Sequence, residues 1–401
     1  MAERKRGTVR DLRRDNRSVL LRALYFGDPR SRQELSAETG LSPASVSNVV
    51  RDLMNEGIAV EVGSVDSDGG RPRVLLRVNP AYGHVIGVDV GETRVQIELF
   101  DLAMAERAKA DYPLDRGHDP GEVVTRILEG IDAVLADGGA DPASVLGVGI
   151  GVPGVVRQRP EVIVDAQTFG WSSVPLERLL REGLPDGPTG TPLPLLIDNG
   201  ANTMGRAELW FGSGRGARNA IIGLIGSGVG SAVIRDGSPD NGADASAGEW
   251  GHTPLIVDGR RCRCGNVGCL EAYVGAEAML ERYVEAGGDP LPGDQETALA
   301  RLVLDAATPG TTAARLVDET VAFLGASIGG LINLLAPERI ILGGWAGLLL
   351  GDRYLAELRA AASRHSLRHL YASTSIELCR LGPDAVALGA ATLPLDRFLD
   401  G

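Results

Sequence analysis

Residues 248–271 read GEWGHTPLIVDGRRCRCGNVGCLE and hold three of the chain's four cysteines, Cys262, Cys264 and Cys269. His252 stands ten residues before the first of them. Thiolate and imidazole are the ligand types that close a tetrahedral structural zinc site. Gly265 and Gly268 fall inside the run, where a knuckle folded about a metal needs positive φ or a close backbone approach. Three cysteines cannot pair evenly as disulfides, and so few in 401 residues suit a reducing cytoplasm. A Cys3His zinc site on His252, Cys262, Cys264 and Cys269 is the expectation. Glu249, His252 and Glu271 are the polar groups that a rigid metal site would fix for another task.

Outward from this stretch the chain repeats one local theme, a strand running into a glycine-rich turn. It occurs at 84–101 (HVIGVDVGETRVQIELFD), 148–154 (VGIGVPG), 221–230 (IIGLIGSGVG) and 339–344 (RIILGG). Such turns can cradle phosphates with backbone N–H groups. Amphipathic helices are expected between them at Pro120–Ala136, Ala201–Phe211, Ala276–Ala286 and Ala313–Leu335. Strands alternating with helices define an α/β fold. The basic N-terminus has no apolar segment behind it and no run of 18 apolar residues occurs, so neither a secretory signal nor a membrane span is expected.

The first eighty residues differ from the rest. They carry a charge balance of +3 against −16 for the remainder, the asymmetry of a nucleic-acid module on an acidic body. The pattern predicts helices over Asn16–Tyr25, Arg32–Thr39 and Ala44–Glu56, with Ser31 and Asn16 as N-caps, Gly40 as a C′ glycine and Pro43 opening the third. Helix, helix, glycine turn, helix is the helix-turn-helix order. The third helix is the reading helix, offering Ser42, Ala44, Ser45, Ser47, Asn48 and Arg51 to DNA. Strands at 58–62 and 73–78 then frame a polar tip, making a wing. Its Gly70-Arg71-Pro72 turn presents a guanidinium narrow enough for an AT-rich minor groove, with Arg73 beside it. Asn79-Pro80 marks the boundary.

The zinc stretch, the order of the glycine turns and the leading winged helix resemble the ROK family of repressors and sugar kinases, within the actin-like sugar kinase/Hsp70 superfamily. The resemblance covers nearly the whole chain. It implies a winged helix-turn-helix over 1–80 and a two-lobed domain over 81–401. Lobe 1 would span about 82–196 plus a returning segment at about 370–401, and lobe 2 about 197–369. It further implies a sugar in the interlobe cleft on Asn199, Glu249, His252 and Glu271, with His252 also on zinc. Where relatives often place an Asn before the Gly170-Trp171 motif, this chain has Thr168.

Family kinases take the proton of the attacking sugar hydroxyl with the Asp of an Asn-Asp-Ala-Asn-like segment. Here the segment is Asn199-Gly200-Ala201-Asn202, so glycine stands at the base position. Asp198, read as facing the same way two residues earlier on a strand, would be about 6–7 Å away. The first phosphate turn, Asp89-Val90-Gly91-Glu92-Thr93-Arg94, carries a carboxylate where relatives have glycine. Both departures point away from ATP and from catalysis. The expected function is a cytoplasmic sugar-responsive transcriptional repressor. Its partners would be palindromic operator DNA, a small sugar effector and a second copy in a dimer or tetramer, with no membrane. The alternative is a bifunctional ATP-dependent sugar kinase with a DNA-binding arm, or a regulator whose cleft binds nothing. Cys379, in IELCRL, reads as a core thiol.

Overall fold

The structure is a computed structural model that describes residues 9–67, 70–114, 117–184, 191–243 and 245–401. Three helices open it: α1 (Val9–Phe26), α2 (Arg32–Thr39) and α3 (Pro43–Asn55), followed by the hairpin β1 (Ala59–Ser67) and β2 (Gly70–Val78). The caps explain the breaks. Ser31 and Glu34 form a reciprocal capping box, Gly40 takes the left-handed conformation at φ 71°, and Ser42 caps α3 ahead of Pro43. The expected cap at Asn16 is corrected: α1 begins seven residues earlier and carries Asn16 through its interior.

The first lobe is built on a five-stranded sheet in the order β10-β6-β3-β4-β5. Its strands are β3 (His84–Val90), β4 (Arg94–Asp101), β5 (Glu106–Pro113), β6 (Val145–Val152) and β10 (Leu195–Asn199). A small sheet of β7 (Val155–Arg157), β8 (Ile163–Ala166) and β9 (Trp171–Val174) flanks it, with helices α4 (Pro120–Asp137) and α5 (Leu176–Arg181). The second lobe has the order β13-β12-β11-β14-β15, from β11 (Ala220–Ile225), β12 (Val229–Arg235), β13 (Ser238–Pro239), β14 (Arg339–Gly343) and β15 (Ser375–Leu378). Helix α6 (Gly200–Phe211) leads from one sheet to the other. Around the second sheet lie α7 (Glu271–Val274), α8 (Ala276–Glu285), α9 (Gln295–Asp305), α10 (Thr312–Leu335), α11 (Trp345–His365) and α12 (Arg368–Ala372). By length and composition α10 could cross a membrane, but half of its apolar window is buried, in the second lobe's core with α11.

The chain returns to the first lobe only with α13 (Ala385–Asp400), because β15 pairs with β14 in the second sheet. Helix α13 lies so close on β3 and β6 that a Cβ at Gly87 or Gly149 would overlap the carbonyls of Ala387 and Ala390. Its other side faces the winged helix. Leu20, Leu24 and Leu53 of the N-terminal helices share one continuous core with Val85 and Phe100 of the sheet and with Leu395 and Leu399 of α13. The N-terminal module is therefore packed onto the body through apolar burial rather than tethered to it by a loose linker.

Candidate functional site

The knuckle brings its four candidate ligand atoms within 4.8 Å of one another. Cys264 Sγ lies 3.7 Å from Cys269 Sγ, and Cys262 Sγ lies 3.8 Å from His252 Nδ1. Zinc–sulfur bonds of about 2.3 Å at a tetrahedral angle separate two sulfurs by about 3.8 Å, so these residues fit the ion. Gly265 and Gly268 have φ of 91° and 78°, which lets the backbone fold back beneath the thiols. With Nδ1 turned to the cysteines, His252 Nε2 points to Glu249 Oε2 at 3.8 Å. A metal on one ring nitrogen would fix the other as a donor toward the cleft.

The cleft between the lobes is a cavity of about 470 Å³. Asn199, Glu249, His252, Glu271 and Thr168 all line it, as do Cys264 and Gly200. Thr168 Oγ1 is buried without a hydrogen-bond partner, which marks a place for a polar ligand atom. Burial raises the Glu249 carboxyl above its ordinary pKa, against the pull of His252. Glu271 is buried and accepts from the Val229 N–H at 2.9 Å. Asn199 has a second duty: its Oδ1 caps α6 through Ala201 N at 2.7 Å while its Nδ2 donates to the Gly154 carbonyl.

The strand geometry assumed for Asp198 and Gly200 is corrected. Strand β10 ends at Asn199 and Gly200 is the first residue of α6, so the alternation rule does not relate the two. Asp198 accepts from the Asn199 N–H and from Asn202 Nδ2, and it is not among the residues that line the cavity. Burial raises its pKa, while those hydrogen bonds pull it down. Gly200 does line the cavity, and a Cβ there would meet nothing closer than 3.7 Å. The place is roomy and carries no side chain.

Sequence reasoning missed the residues that span the cleft. Arg263, between Cys262 and Cys264, holds Glu92 in a fork at 2.5 and 3.1 Å and also reaches Glu277 at 3.1 Å and Glu271 at 3.4 Å. Arg94 of the same hairpin lies 3.6 Å from Glu296 of α9. The available signal was an arginine wedged between two cysteines and a glutamate in a turn that should be glycine. Nothing local related positions 171 apart.

A second missed joint links cleft and winged helix. Helix α6 starts at the cleft and runs for 12 residues to the N-terminal module. Asp396 of α13 takes Arg22 of α1 on one oxygen at 2.5 Å and Arg206 of α6 on the other at 2.8 Å. Trp210 of α6 meets Phe26 of α1 edge to face at 4.8 Å.

In the winged helix, Ser42, Ala44, Ser47, Asn48 and Arg51 are exposed along α3, whereas Ser45 is half-buried. Ser42 spends its hydroxyl on the cap, accepting from Ser45 N at 3.1 Å. Arg73 is half-buried with its head 3.8 Å from Glu34. The Arg71 side chain lies outside the described part of the structure.

These features define a winged helix joined to a two-lobed sugar-kinase-like body. The family model described as the ROK family matches residues 85–397, and the chain belongs to that family. It is 29% identical to a xylose repressor of Caldicellulosiruptor bescii over 97% of both chains. A glucokinase of Thermotoga maritima is 30% identical over 78% of this chain and 98% of its own. A solved ROK-family transcriptional regulator, a homologue of the Escherichia coli MLC protein, superposes with a TM-score of 0.79 over 97% of both chains at 23% identity.

Proposed function

We propose that this chain is a sugar-responsive transcriptional repressor that recognises a sugar without phosphorylating it. The observation that carries this reading is Gly200. It occupies the family's general-base position on the cavity wall with open space around it, and the nearby Asp198 is engaged elsewhere. Residues 1–80 serve as the DNA-binding module and 81–401 as the sensor. Zinc held by His252, Cys262, Cys264 and Cys269 is structural, and it orients His252 beside Glu249 and Glu271 so that the three meet sugar hydroxyls. Exposed Ser47, Asn48 and Arg51, with Arg71 in the wing, are the DNA contacts. Two copies reading a palindrome match a twofold axis.

Operator shift assays with and without each sugar, run beside a coupled ADP-release assay on the same panel, test this reading. Sugar-dependent operator affinity with no turnover is expected. The kinase alternative draws on the glucokinase relatives and predicts robust turnover, which would overturn the proposal. Gly200→Asp should fold, since its Cβ has room, and should still turn over negligibly because Glu92 stays in place. A variant that gains robust turnover would show that Gly200 alone separates this chain from a kinase.

A further inference from the structure

The charge of the cleft bears on which effector the proposed sensor accepts. Among the described lining residues there are six carboxyl groups, Asp89, Glu92, Asp165, Glu249, Glu271 and Glu296, against one guanidinium, Arg94. That guanidinium is already shared between Asp111 at 3.7 Å and Glu296 at 3.6 Å. Two arginines at its border are filled as well: Arg263 by Glu92, Glu277 and Glu271, and Arg157 by Asp165.

Three backbone donors of the glycine turns are spent in the same way. In the β11–β12 turn, Gly226 N–H donates to the Gly228 carbonyl and Val229 N–H to the Glu271 carboxylate. The approach to Gly228 is closed as well: a methyl group there would come 2.8 Å from Arg263 Nη2 and 3.3 Å from Glu92 Oε1. In the β3–β4 turn, Gly91 N–H donates to the Arg94 carbonyl. A phosphate entering beside Glu92 would meet its carboxylate at short range in a partly dehydrated space and would find three of the turns' backbone donors already taken, which is unfavourable. A neutral sugar meets none of this opposition, because carboxylates accept from its hydroxyls.

We infer that the cleft is built for an uncharged sugar and rejects the phosphorylated form of the same sugar, with the Glu92 carboxylate standing where the phosphate oxygens of the ester would have to enter. This rests on the sugar-sensor reading above and names the effector class within it.

Calorimetry on the full chain, with thermal shift as a second readout, tests the inference. The probes are xylose, glucose and N-acetylglucosamine, each paired with its own phosphate ester. The free sugar that binds should do so about 100-fold more tightly than its ester. Glu92→Gln frees the Arg263 fork and should narrow that gap about tenfold. Glu296→Gln, which loosens Arg94, should narrow it in the same direction and guards against a folding defect in the first variant. An ester that binds as tightly as its free sugar overturns the inference and leaves the sensor reading standing. Absence of any binding across all six compounds overturns both. An unchanged gap in both variants rejects the assignment of the phosphate places.

Discussion

The knuckle and the β3–β4 hairpin face each other across one cleft, and they differ in how they are held. The knuckle gathers its four ligand atoms from eighteen residues of sequence, so its geometry is local. The hairpin is held by partners far along the chain, with Glu92 on Arg263 and Arg94 on Glu296. One gathers groups that could hold a metal ion, and the other is an ionic bridge between lobes. The β3–β4 side of the cleft is closed by ion pairs within the chain.

The sharpest way to break that contrast is at the knuckle. Cys264→Ser removes one of four ligands from a residue that also lines the cavity. Bound zinc measured by elemental analysis should fall at least tenfold, and sugar response should be lost with it. Retained metal in that variant would contradict the four-ligand assignment.

A smaller effect is expected at the bridge. Glu92→Gln and Arg263→Gln, made singly and together, should show a coupling of about 1 kcal/mol in urea unfolding, since both side chains are largely shielded from solvent. Additive losses would mean that the pair contributes no net attraction between the lobes.

A further effect concerns pH. Burial lifts the Asp89 carboxyl to a pKa of about 7, against the pull of Arg94. An unfolded Asp titrates near 3.9. Between those values the native chain holds a proton that the unfolded chain has released, so stability from this group is greatest at low pH and declines as pH rises toward 7. From pH 5 to 8 the parent should lose about 2–3 kcal/mol more than Asp89→Asn. Glu98 is lifted to a similar value and is common to both proteins, so the difference reports Asp89. Equal slopes would place Asp89 in a more hydrated setting than the cleft floor.

Much of the fold was legible in sequence because its signals are short-range. Ser31, Gly40 and Pro43 set helix ends through their own backbone chemistry, and α2 matches its expected bounds. The order of strands, glycine turns and helices gave the α/β class, and the family resemblance those motifs carry implied the two-lobed architecture that the structure has. The start of α1 was misplaced because Asn16 is as acceptable inside a helix surface as at a cap. The limits of the first lobe were misplaced near residue 375, because β15 is a strand in either sheet and only its pairing decides between them. The geometry of Asp198 and Gly200 was misjudged because a strand end and a helix start look alike across two residues.

The sequence by itself determined the cluster of three cysteines and a histidine, the glycine at position 200 and the caps of the N-terminal helices, since each depends on residues close together in the chain. Only the tertiary structure decided that Glu92 closes on Arg263, that Glu271 takes the Val229 N–H, and that Asp396 ties α6 and α1 to one carboxylate. Those contacts join residues 42 to 374 positions apart. Charge fixes what such residues can bind, but only the packing of two sheets and α13 fixes which partner lies within reach.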